Sequence, residues 1–270
     1  MNTGMIRRYA CRKGGERLKV IVRKYGDDVK ALTLYPIADV HLGSKECMEK
    51  EFSNHLKAIA ADETARVVLV GDLLNNGIKS SVTNVYDEVY TPREQKHRMI
   101  DLLRPVREKI VCVVGGNHER RIVRETSVDV TEDICRELGI EDAYAGDMGI
   151  LKVTLGKDSH NKPVTYSFCV THGAGGGQLL GSAINKPDAF QMAIEGVDGI
   201  ISGHTHKPLK VPSGRTIFDP RNNMVLRTKT LIFVCTAWLD AGGYPEQHLM
   251  KPVAFNPDMI ALSGTKKEWK

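Results

Sequence analysis

The chain has no long apolar segment, and this absence excludes one class of protein. None of its apolar runs approaches the roughly 18 residues that are needed to span a bilayer, so we expect no transmembrane helix and no membrane partner. The arginines within residues 1–15 are not followed by an apolar stretch, so this region does not resemble a secretory signal. We therefore expect a cytoplasmic protein.

Paired cysteines are also absent. The six cysteines are scattered, and no Cys-x-x-Cys pair indicates a zinc site or a thiol redox site. Three of them, Cys112, Cys169 and Cys235, lie within apolar runs, where a free cysteine packs as a small hydrophobic side chain. We expect reduced structural thiols, which is the usual state in the cytosol.

The sequence shows neither a linker nor an internal repeat. Hydrophobic residues make up 41% and charged residues 26% of the 270 residues, which is typical of a globular protein. The motifs described below run from Asp39 to His206 without interruption, so we predict one domain over residues 1–270. Residues 1–30 would form a basic strand or hairpin segment and residues 238–270 an irregular segment. The sequence leaves open whether the chain forms a homo-oligomer.

Positive charge is concentrated at the N-terminus. The net charge is +5, yet residues 1–26 alone carry eight basic side chains against Glu16. The eight are Arg7, Arg8, Arg12, Lys13, Arg17, Lys19, Arg23 and Lys24. Two interpretations remain open: an arm that follows the phosphates of a nucleic acid, or a solvated edge hairpin protected by its charges.

Strands and helices alternate in the first half of the chain. Apolar periodicity predicts strands at residues 18–22, 31–38, 66–70 and 110–114, and helices at residues 45–60, 92–105 and 128–138. The second helix begins with a capping box, Thr91-Pro92-Arg93-Glu94, and Pro105 should kink or end it. This order implies βαβ units and an α/β fold.

The pattern changes after Gly149. It predicts a hairpin from residues 150–155 and 164–171, a short helix at 187–194, and further strands at 215–218, 224–228 and 231–235. We expect these strands to form a second, mostly antiparallel sheet.

Polar side chains of the kind that bind metals directly follow five of the apolar runs. In an open α/β sheet, functional groups gather at the carboxyl ends of the strands, because loops converge there on a rigid scaffold. Pairs spaced i, i+2 should face the same way in extended backbone. The candidate ligands are Asp39, His41, Asp72, Asn117, His172, His204 and His206, with His118 beside Asn117.

The chemistry of these side chains indicates the class of metal. Imidazoles, carboxylates and one amide oxygen suit manganese, iron, zinc or nickel better than calcium, which prefers oxygen ligands alone. Seven ligands are too many for one tetrahedral ion, but they complete two open sites if one carboxylate is shared. We therefore predict two divalent transition-metal ions, with manganese as the first choice.

The same residues form an ordered series of motifs, D-x-H, GD, GNHE, H and GHTH. They stand at Asp39-Val40-His41, Gly71-Asp72, Gly116-Asn117-His118-Glu119, His172 and Gly203-His204-Thr205-His206. This series resembles the calcineurin-like metallophosphoesterase superfamily from about Ala31 to Pro208. Each motif alone is weak, whereas five in order with a complete set of ligands are highly specific.

The resemblance implies a fold and a role for each residue. The fold would be a two-sheet β-sandwich flanked by helices, in the four-layer arrangement of that superfamily. Asp72 would bridge two metals and His118 would be the catalytic imidazole. One metal would be held by Asp39, His41 and His206, and the other by Asn117, His172 and His204.

These roles agree with the chemistry of phosphoester hydrolysis. Two divalent ions would leave net positive charge beside Asp39 and Asp72, lower the pKa of a bridging water and stabilise in-line displacement by the resulting hydroxide. The leaving alkoxide still needs a proton, which His118 can supply as general acid.

The residues after His118 have two readings each. Glu119 would orient His118 as a supporting carboxylate, or it would be a turn residue. Arg120, Arg121 and Arg124 would hold the substrate phosphate, or they would form an exposed helix face.

The substrate class follows from departures within the motifs. Protein phosphatases of the superfamily continue the second motif with Asp-Arg-Gly, whereas here Asp72 is followed by Leu73-Leu74-Asn75-Asn76. The nuclease branch usually has Asp where Glu119 stands. Together with the basic N-terminus, the missing arginine favours a phosphodiester in nucleic acid or a nucleotide. A phosphomonoesterase is the alternative, and a non-catalytic nucleic-acid-binding module is the third hypothesis.

Overall fold

The computed structural model describes residues 18–79, 81, 85–177, 179–240 and 255–270. Most of the basic N-terminal segment, through Arg17, lies outside this part of the chain, as does Cys11. Residues 241–254 of the expected irregular segment also lie outside it. The predictions on these residues therefore stay predictions.

Ten strands and five α-helices are described. The strands are β1 (Lys19–Lys24), β2 (Ala31–Ile37), β3 (Ala65–Val70), β4 (Ile110–Val114), β5 (Met148–Lys157), β6 (Pro163–Thr171), β7 (Gly199–Ser202), β8 (Leu209–Asp219), β9 (Met224–Val234) and β10 (Ile260–Ser263). The helices are α1 (Glu49–Ala61), α2 (Pro92–Leu103), α3 (Asn117–Thr126), α4 (Val130–Leu138) and α5 (Gly181–Ala193).

The strands form two sheets. A four-stranded sheet has the order β10-β2-β3-β4, in which β2, β3 and β4 are parallel and β10 is antiparallel to β2. A six-stranded sheet has the order β1-β5-β6-β7-β9-β8. One apolar core lies between the two sheets, and Leu34, Val68, Tyr166 and Phe168 are fully buried there. The predicted two-sheet α/β sandwich is confirmed.

Helices cover the outer faces of the sheets. A second core joins the four-stranded sheet to α1, α2 and α4, and Phe52, Leu56 and Ile59 form the buried side of α1 as the apolar spacing predicts. The capping box at Thr91 is present, and α2 ends at Leu103 before Pro105. On the opposite side of the molecule, α5 packs against β7 and β9. The order of layers is therefore helix, sheet, sheet, helix.

The prediction for the second sheet was partly wrong. The β5–β6 hairpin is confirmed, but the sheet is mixed, since β1 pairs with β5, β6 with β7 and β7 with β9 in parallel. The runs at 224–228 and 231–235 form the single strand β9. Of the two polar residues between them, Lys229 is exposed and pairs with Gly214 of β8, and Thr230 is buried and donates its hydroxyl to Gln191 Oε1 at 3.3 Å, so neither interrupts the strand.

Of the strand or hairpin expected within residues 1–30, the strand is present as β1, but it forms no hairpin with the strand that follows it. Strand β1 lies at the edge of the six-stranded sheet, whereas β2 belongs to the other sheet, so the turn at residues 26–28 connects the two layers. Lys19 donates from Nζ to the carbonyl of Tyr144 at 2.6 Å, and Arg23 donates from Nε to the carbonyl of Val111 at 3.1 Å. These two basic residues therefore tie β1 to the neighbouring layer.

Three further elements differ from the sequence-based expectations. Helix α5 begins at Gly181 rather than Pro187, because Ala183 is already buried against the sheet. Strand β10 lies within the segment expected to be irregular, with Ile260 and Leu262 buried between the sheets. Asn117 and His118 open the helix α3, which the apolar periodicity did not predict. Among the described residues, no helix combines the length and apolar character that a bilayer crossing requires.

Candidate metal centre

Five parallel strands deliver polar side chains to one edge of the sandwich. Asp39 follows β2, Asp72 follows β3, Asn117 follows β4, His172 follows β6, and His204 follows β7. Parallel strands place their carboxyl ends at the same edge of a sheet. The structure accordingly brings all seven candidate ligands and His118 into one region.

The backbone of these loops is left-handed rather than extended. The extended backbone that we expected for the pairs spaced i, i+2 was therefore wrong. Five candidate ligands have positive φ: Asp39 (53°), His41 (48°), Asp72 (50°), His204 (70°) and His206 (57°). Asp and His tolerate this region better than most residues, and such conformations cluster at functional sites where the surrounding structure holds them. The sharp bends let side chains from adjoining loops converge on one point.

Two glycines permit the close approach of the loops. A Cβ on Gly116 would lie 2.1 Å from Asp72 Oδ1, and a Cβ on Gly203 would lie 2.6 Å from Asp39 Oδ2. Any side chain at either position would displace a candidate ligand. The glycines of the GNHE and GHTH motifs thus serve the packing of the two carboxylates.

One group of side chains contains Asp39, His41 and His206, whose donor atoms lie within 4.8 Å of one another. His206 Nε2 is 3.3 Å from Asp39 Oδ1 and 3.2 Å from His41 Nε2. Asp39 is fully buried, and its carboxylate accepts the backbone N–H of His204 at 2.9 Å. An oxygen and two ring nitrogens therefore surround a common point.

A second group contains Asp72, His172 and His204 within the same limit. Asn117 joins it, because its Oδ1 lies 3.1 Å from His172 Nε2 and 2.8 Å from His204 Nδ1. Asp72 Oδ2 is 3.1 Å from His172 Nε2 and 4.0 Å from His41 Nε2. One oxygen of Asp72 thus faces both groups.

The tautomer of His172 indicates that a cation fits between these ligands. Its Nδ1 lies 2.7 Å from the carbonyl of Val70, which only accepts, so Nδ1 carries the hydrogen. The lone pair of a neutral ring would then face the oxygens of Asp72 and Asn117. Burial opposes a charge on this ring, but the charges of Asp72 and Asp39 outweigh burial and raise the pKa of His172 to about 10. The site therefore calls for positive charge, which a metal supplies when its ligands are deprotonated.

The same conclusion follows from the buried carboxylates. Asp39 and Asp72 are almost completely buried, and within the described part of the chain neither forms an ion pair with a lysine or arginine. Their ion-pair contacts in this part of the chain are with histidines. Because buried charges in proteins are paired or coordinate metals, two adjacent carboxylates surrounded by imidazoles fit divalent cations.

His118 stands beside both groups with each ring nitrogen engaged. Its Nδ1 donates to the carbonyl of Asn75 at 2.7 Å, and its Nε2 accepts from Arg121 Nη2 at 2.9 Å. The ring is 4.4 Å from that of His41, and Nε2 is 3.8 Å from Asp72 Oδ2. Burial lowers the pKa of His118, as does the charge of Arg121, while Asp72 opposes the shift. With His41 and Asp72 it forms a third group of ligand-type atoms.

Glu119 supports the loops rather than His118, which corrects the proposed orienting contact. Its buried carboxylate accepts the backbone N–H groups of Asp72 at 3.0 Å, Leu74 at 2.9 Å and Gly116 at 2.9 Å. Burial and the charge of Asp72 raise its pKa to about 7, while the backbone donors favour the ionised form. One side chain thus joins the second and third motifs.

We expect the Glu119→Ala variant to lose much of its stability. Removing the carboxylate would leave three buried N–H groups without an acceptor, and each such group costs about 1–3 kcal/mol. Urea denaturation of the metal-free protein measures the loss, with Glu119→Gln as the matched control because it keeps one acceptor oxygen. A loss below about 1 kcal/mol in Glu119→Ala would contradict this role.

Of the three arginines after His118, only Arg121 lines the cleft above the ligands. Arg120 does not line this cleft and forms an ion pair with Asp147 at 2.5 Å. Arg124 is not among the residues that line the cleft. Arg121 Nη1 is buried and has no hydrogen-bond partner among the described residues, which leaves a donor available for a ligand.

One residue of the site, Lys207, was not singled out from the sequence, and another, Asn75, has a role that the sequence did not indicate. Lys207 directly follows the GHTH motif, is buried, and donates from Nζ to Ser182 Oγ at 3.0 Å and to the carbonyl of Gly177. It thereby anchors the glycine-rich segment 173–177 beside the cleft. Asn75 acts through its main-chain carbonyl, which no sequence signal reveals. The position of Lys207 directly after the candidate ligand His206 was the sequence signal that could have identified it.

The cleft has a volume of about 440 Å³ and is lined by ligands of both groups together with His118, Arg121 and Lys207. This volume lies within the range of about 300–1,000 Å³ that is typical of ligand pockets. Two sheets with helices on both outer faces thus carry, at one edge, carboxylates and imidazoles that can bind metal.

Comparison with known proteins identifies the family. The family described as calcineurin-like phosphoesterase matches residues 32–208, well over half of the chain, and the chain belongs to this family. It is therefore a metal-dependent hydrolase of phosphate esters. The match ends just after the GHTH motif and includes every candidate ligand.

Other comparisons add little. A solved structure from Streptococcus pneumoniae, described as a conserved uncharacterized protein and predicted phosphoesterase, shares 13% sequence identity. The alignment covers 87% of this chain and 83% of that chain with a TM-score of 0.34, which is too distant to bear on function. A comparison with curated proteins found no match.

Proposed function

We propose that this protein is a dinuclear metal-dependent phosphodiesterase. The observation that carries the proposal is the position of Asp72 Oδ2, which faces His172 Nε2 at 3.1 Å and His41 Nε2 at 4.0 Å. A carboxylate oxygen between two groups of ligands can be shared by two ions. The separate groups on either side supply the remaining ligands.

The residues would divide between the ions as follows. Asp39, His41 and His206 would hold one ion, Asn117, His172 and His204 the other, and Asp72 both. When bound, the ions would activate a water for attack and offset the charge of the phosphoryl group. Mixed nitrogen and oxygen ligands fit manganese first, with iron, zinc and nickel as alternatives.

His118 would transfer a proton to the leaving group. Asn75 fixes the hydrogen on Nδ1, so Nε2 is the nitrogen that can take up and release a proton, and it faces the cleft beside Asp72. Arg121 contacts this nitrogen at 2.9 Å. We expect Arg121 to turn towards the substrate phosphoryl group when it binds, because Nη1 is an unused donor and Nη2 would be released by protonation of Nε2.

The basic side chains that line the cleft favour a diester over a monoester as the substrate. A monoester carries one more negative charge at neutral pH, which requires additional cationic partners. Lys207 already directs two of its three ammonium donors to Gly177 and Ser182, and Arg121 has in Nη1 a buried donor without a partner, so Arg121 is the basic residue of the described cleft that we expect to bind the phosphoryl group. Asn75 and Asn76 stand where the phosphatase motif has Asp-Arg, and Asn75 donates to Glu88 Oε1 at 2.5 Å instead.

The comparison of bis(p-nitrophenyl) phosphate with p-nitrophenyl phosphate, both with manganese, tests this function. We expect kcat/KM for the diester to exceed that for the monoester. The reverse order would assign a phosphomonoesterase. Turnover of neither substrate by metal-loaded protein would leave the non-catalytic binding module as the better account.

We propose a nucleic acid as the natural substrate or partner. The positive charge of residues 1–17 would bind its phosphates. Five basic side chains lie in this stretch, whereas Lys19 and Arg23 are engaged by the fold. Deleting residues 1–17 should weaken DNA binding and flatten its dependence on salt, because each phosphate contact releases counterions. Hydrolysis of the small diester should be unaffected. An unchanged salt slope would assign these charges to solvation of the edge strand.

A further inference from the structure

A second cavity, of about 600 Å³, lies beside the candidate metal centre, between α5 and the strands β6 and β7. Its volume falls within the range of about 300–1,000 Å³ that is typical of small-molecule sites. Its walls are mainly apolar, and Phe190, Pro187 and Ile200 contribute to them. None of the candidate metal ligands lines this cavity.

The two cavities share a wall. Gly203 and Thr205 line the apolar cavity, whereas His204 and His206 line the metal cleft, so successive residues of one loop face alternate sides. Thr205 belongs to both linings. Because consecutive Cα atoms are about 3.8 Å apart, the apolar cavity begins within one residue of the candidate ligands.

A basic side chain stands where the cavities meet. Lys186 lines the apolar cavity, and its Nζ lies 3.1 Å from the position that a Cβ on Gly175 would occupy. Gly175 itself lines the metal cleft. In the described part of the chain, Lys186 forms no ion pair. A cation between an apolar cavity and a phosphate site matches a ligand with an anionic group at one end and an apolar ring at the other.

We propose that the apolar cavity binds the nucleobase of a nucleotide phosphodiester whose phosphoryl group occupies the metal cleft. This inference rests on the proposed function and names its substrate class. Phe190 offers an aromatic face, since it lines the cavity and is 38% exposed, and bases stack on such side chains without much regard to sequence. Asn185 supplies an amide at the same wall, which can pair with the polar edge of a base.

Two diesters with one leaving group test the assignment. Methyl p-nitrophenyl phosphate and the p-nitrophenyl ester of thymidine 5′-phosphate both release p-nitrophenolate, so they differ only in the group that would enter the cavity. We expect a larger kcat/KM for the thymidine ester. Phe190→Ala should reduce that value by about tenfold, as the loss of one base stack does, and should leave the methyl ester unchanged.

Two controls are available on the same helix. Met192 is 79% exposed and is not part of the cavity wall, so Met192→Ala should alter neither substrate. Ala189 is exposed and lines the cavity, so Ala189→Trp should fill it and reduce turnover of the thymidine ester alone. Equal losses on both esters, or no loss in either cavity variant, would overturn the proposal. The proposal would also be overturned if kcat/KM for p-nitrophenyl hexyl phosphate exceeded that for the methyl ester by the same factor as kcat/KM for the thymidine ester does.

The outcome can be separated from a failure of the proposed function. If metal-loaded protein cleaves neither ester, the phosphodiesterase assignment fails, and binding of thymidine itself then tests the cavity by saturation-transfer NMR. Binding that Ala189→Trp abolishes and Met192→Ala preserves would support the nucleobase site. Absence of binding, or binding unchanged by Ala189→Trp, would overturn it.

Discussion

Replacing His118 with Gln should reduce hydrolysis of an alkyl phosphodiester by about 10²–10⁴-fold, the contribution typical of general acid–base catalysis. Nε2 of His118 lies at the cleft 3.8 Å from Asp72 Oδ2, and Asn75 holds the opposite nitrogen. An alkoxide leaves poorly without a proton, so hydrolysis of the alkyl diester should show the whole loss of rate. A p-nitrophenolate is already a good leaving group and should suffer much less.

Metal content and a second histidine serve as controls for this result. His118 opens α3 after Asn117, and neighbouring residues of a helix point in different directions, so the variant should keep its metals. His97 is exposed on α2, and His97→Gln should behave as the wild type. Equal losses for the alkyl and nitrophenyl leaving groups, or loss of metal, would show that His118 is not the general acid.

The second large effect is expected at Asp72. Asp72→Asn keeps an oxygen that can accept the backbone N–H of His118, a bond of 2.8 Å in the structure, and Asn tolerates the left-handed backbone at this position. The substitution therefore removes the charge while preserving the fold. We expect both ions to bind more weakly and turnover to fall by at least about 10³-fold, since both the activation of water and charge stabilisation depend on the ions.

A matched variant separates the shared ligand from an unshared one. His206 belongs to the group with Asp39 and His41 and not to the group with Asp72, His172 and His204, so His206→Ala should mainly empty one site. Elemental analysis after reconstitution with manganese compares the variants. If Asp72→Asn and His206→Ala lost the same single ion, Asp72 would not bridge the two sites.

The sequence was sufficient to predict which loops meet and what side chains they carry. Apolar runs ending in ligand-type residues identify parallel strands, and parallel strands share an edge, so the convergence of Asp39, Asp72 and Asn117 follows from the pattern alone. The sandwich was expected from the family resemblance as well. These predictions succeed because they depend on local periodicity and on residue type.

Features that depend on contacts distant in sequence were not predictable in this way. Glu119 accepts the backbone N–H of Leu74, which lies 45 residues away in the sequence. No sequence motif indicates this contact. The partner of β1 is β5, far along the chain, so adjacency to β2 wrongly indicated a hairpin. The left-handed backbone at Asp39 and His41 reflects the packing of loops against one another, whereas the extended spacing was a local assumption.

If Asp72 bridges two ions, full activity requires both, and a titration that follows metal stoichiometry and activity together measures this requirement. Metal-free protein should be titrated with manganese, and hydrolysis of bis(p-nitrophenyl) phosphate and bound metal should be measured at each step. We predict that activity rises to its maximum at two ions per chain and that excess chelator abolishes it. Full activity at one ion per chain, or activity that survives complete removal of metal, would contradict the account.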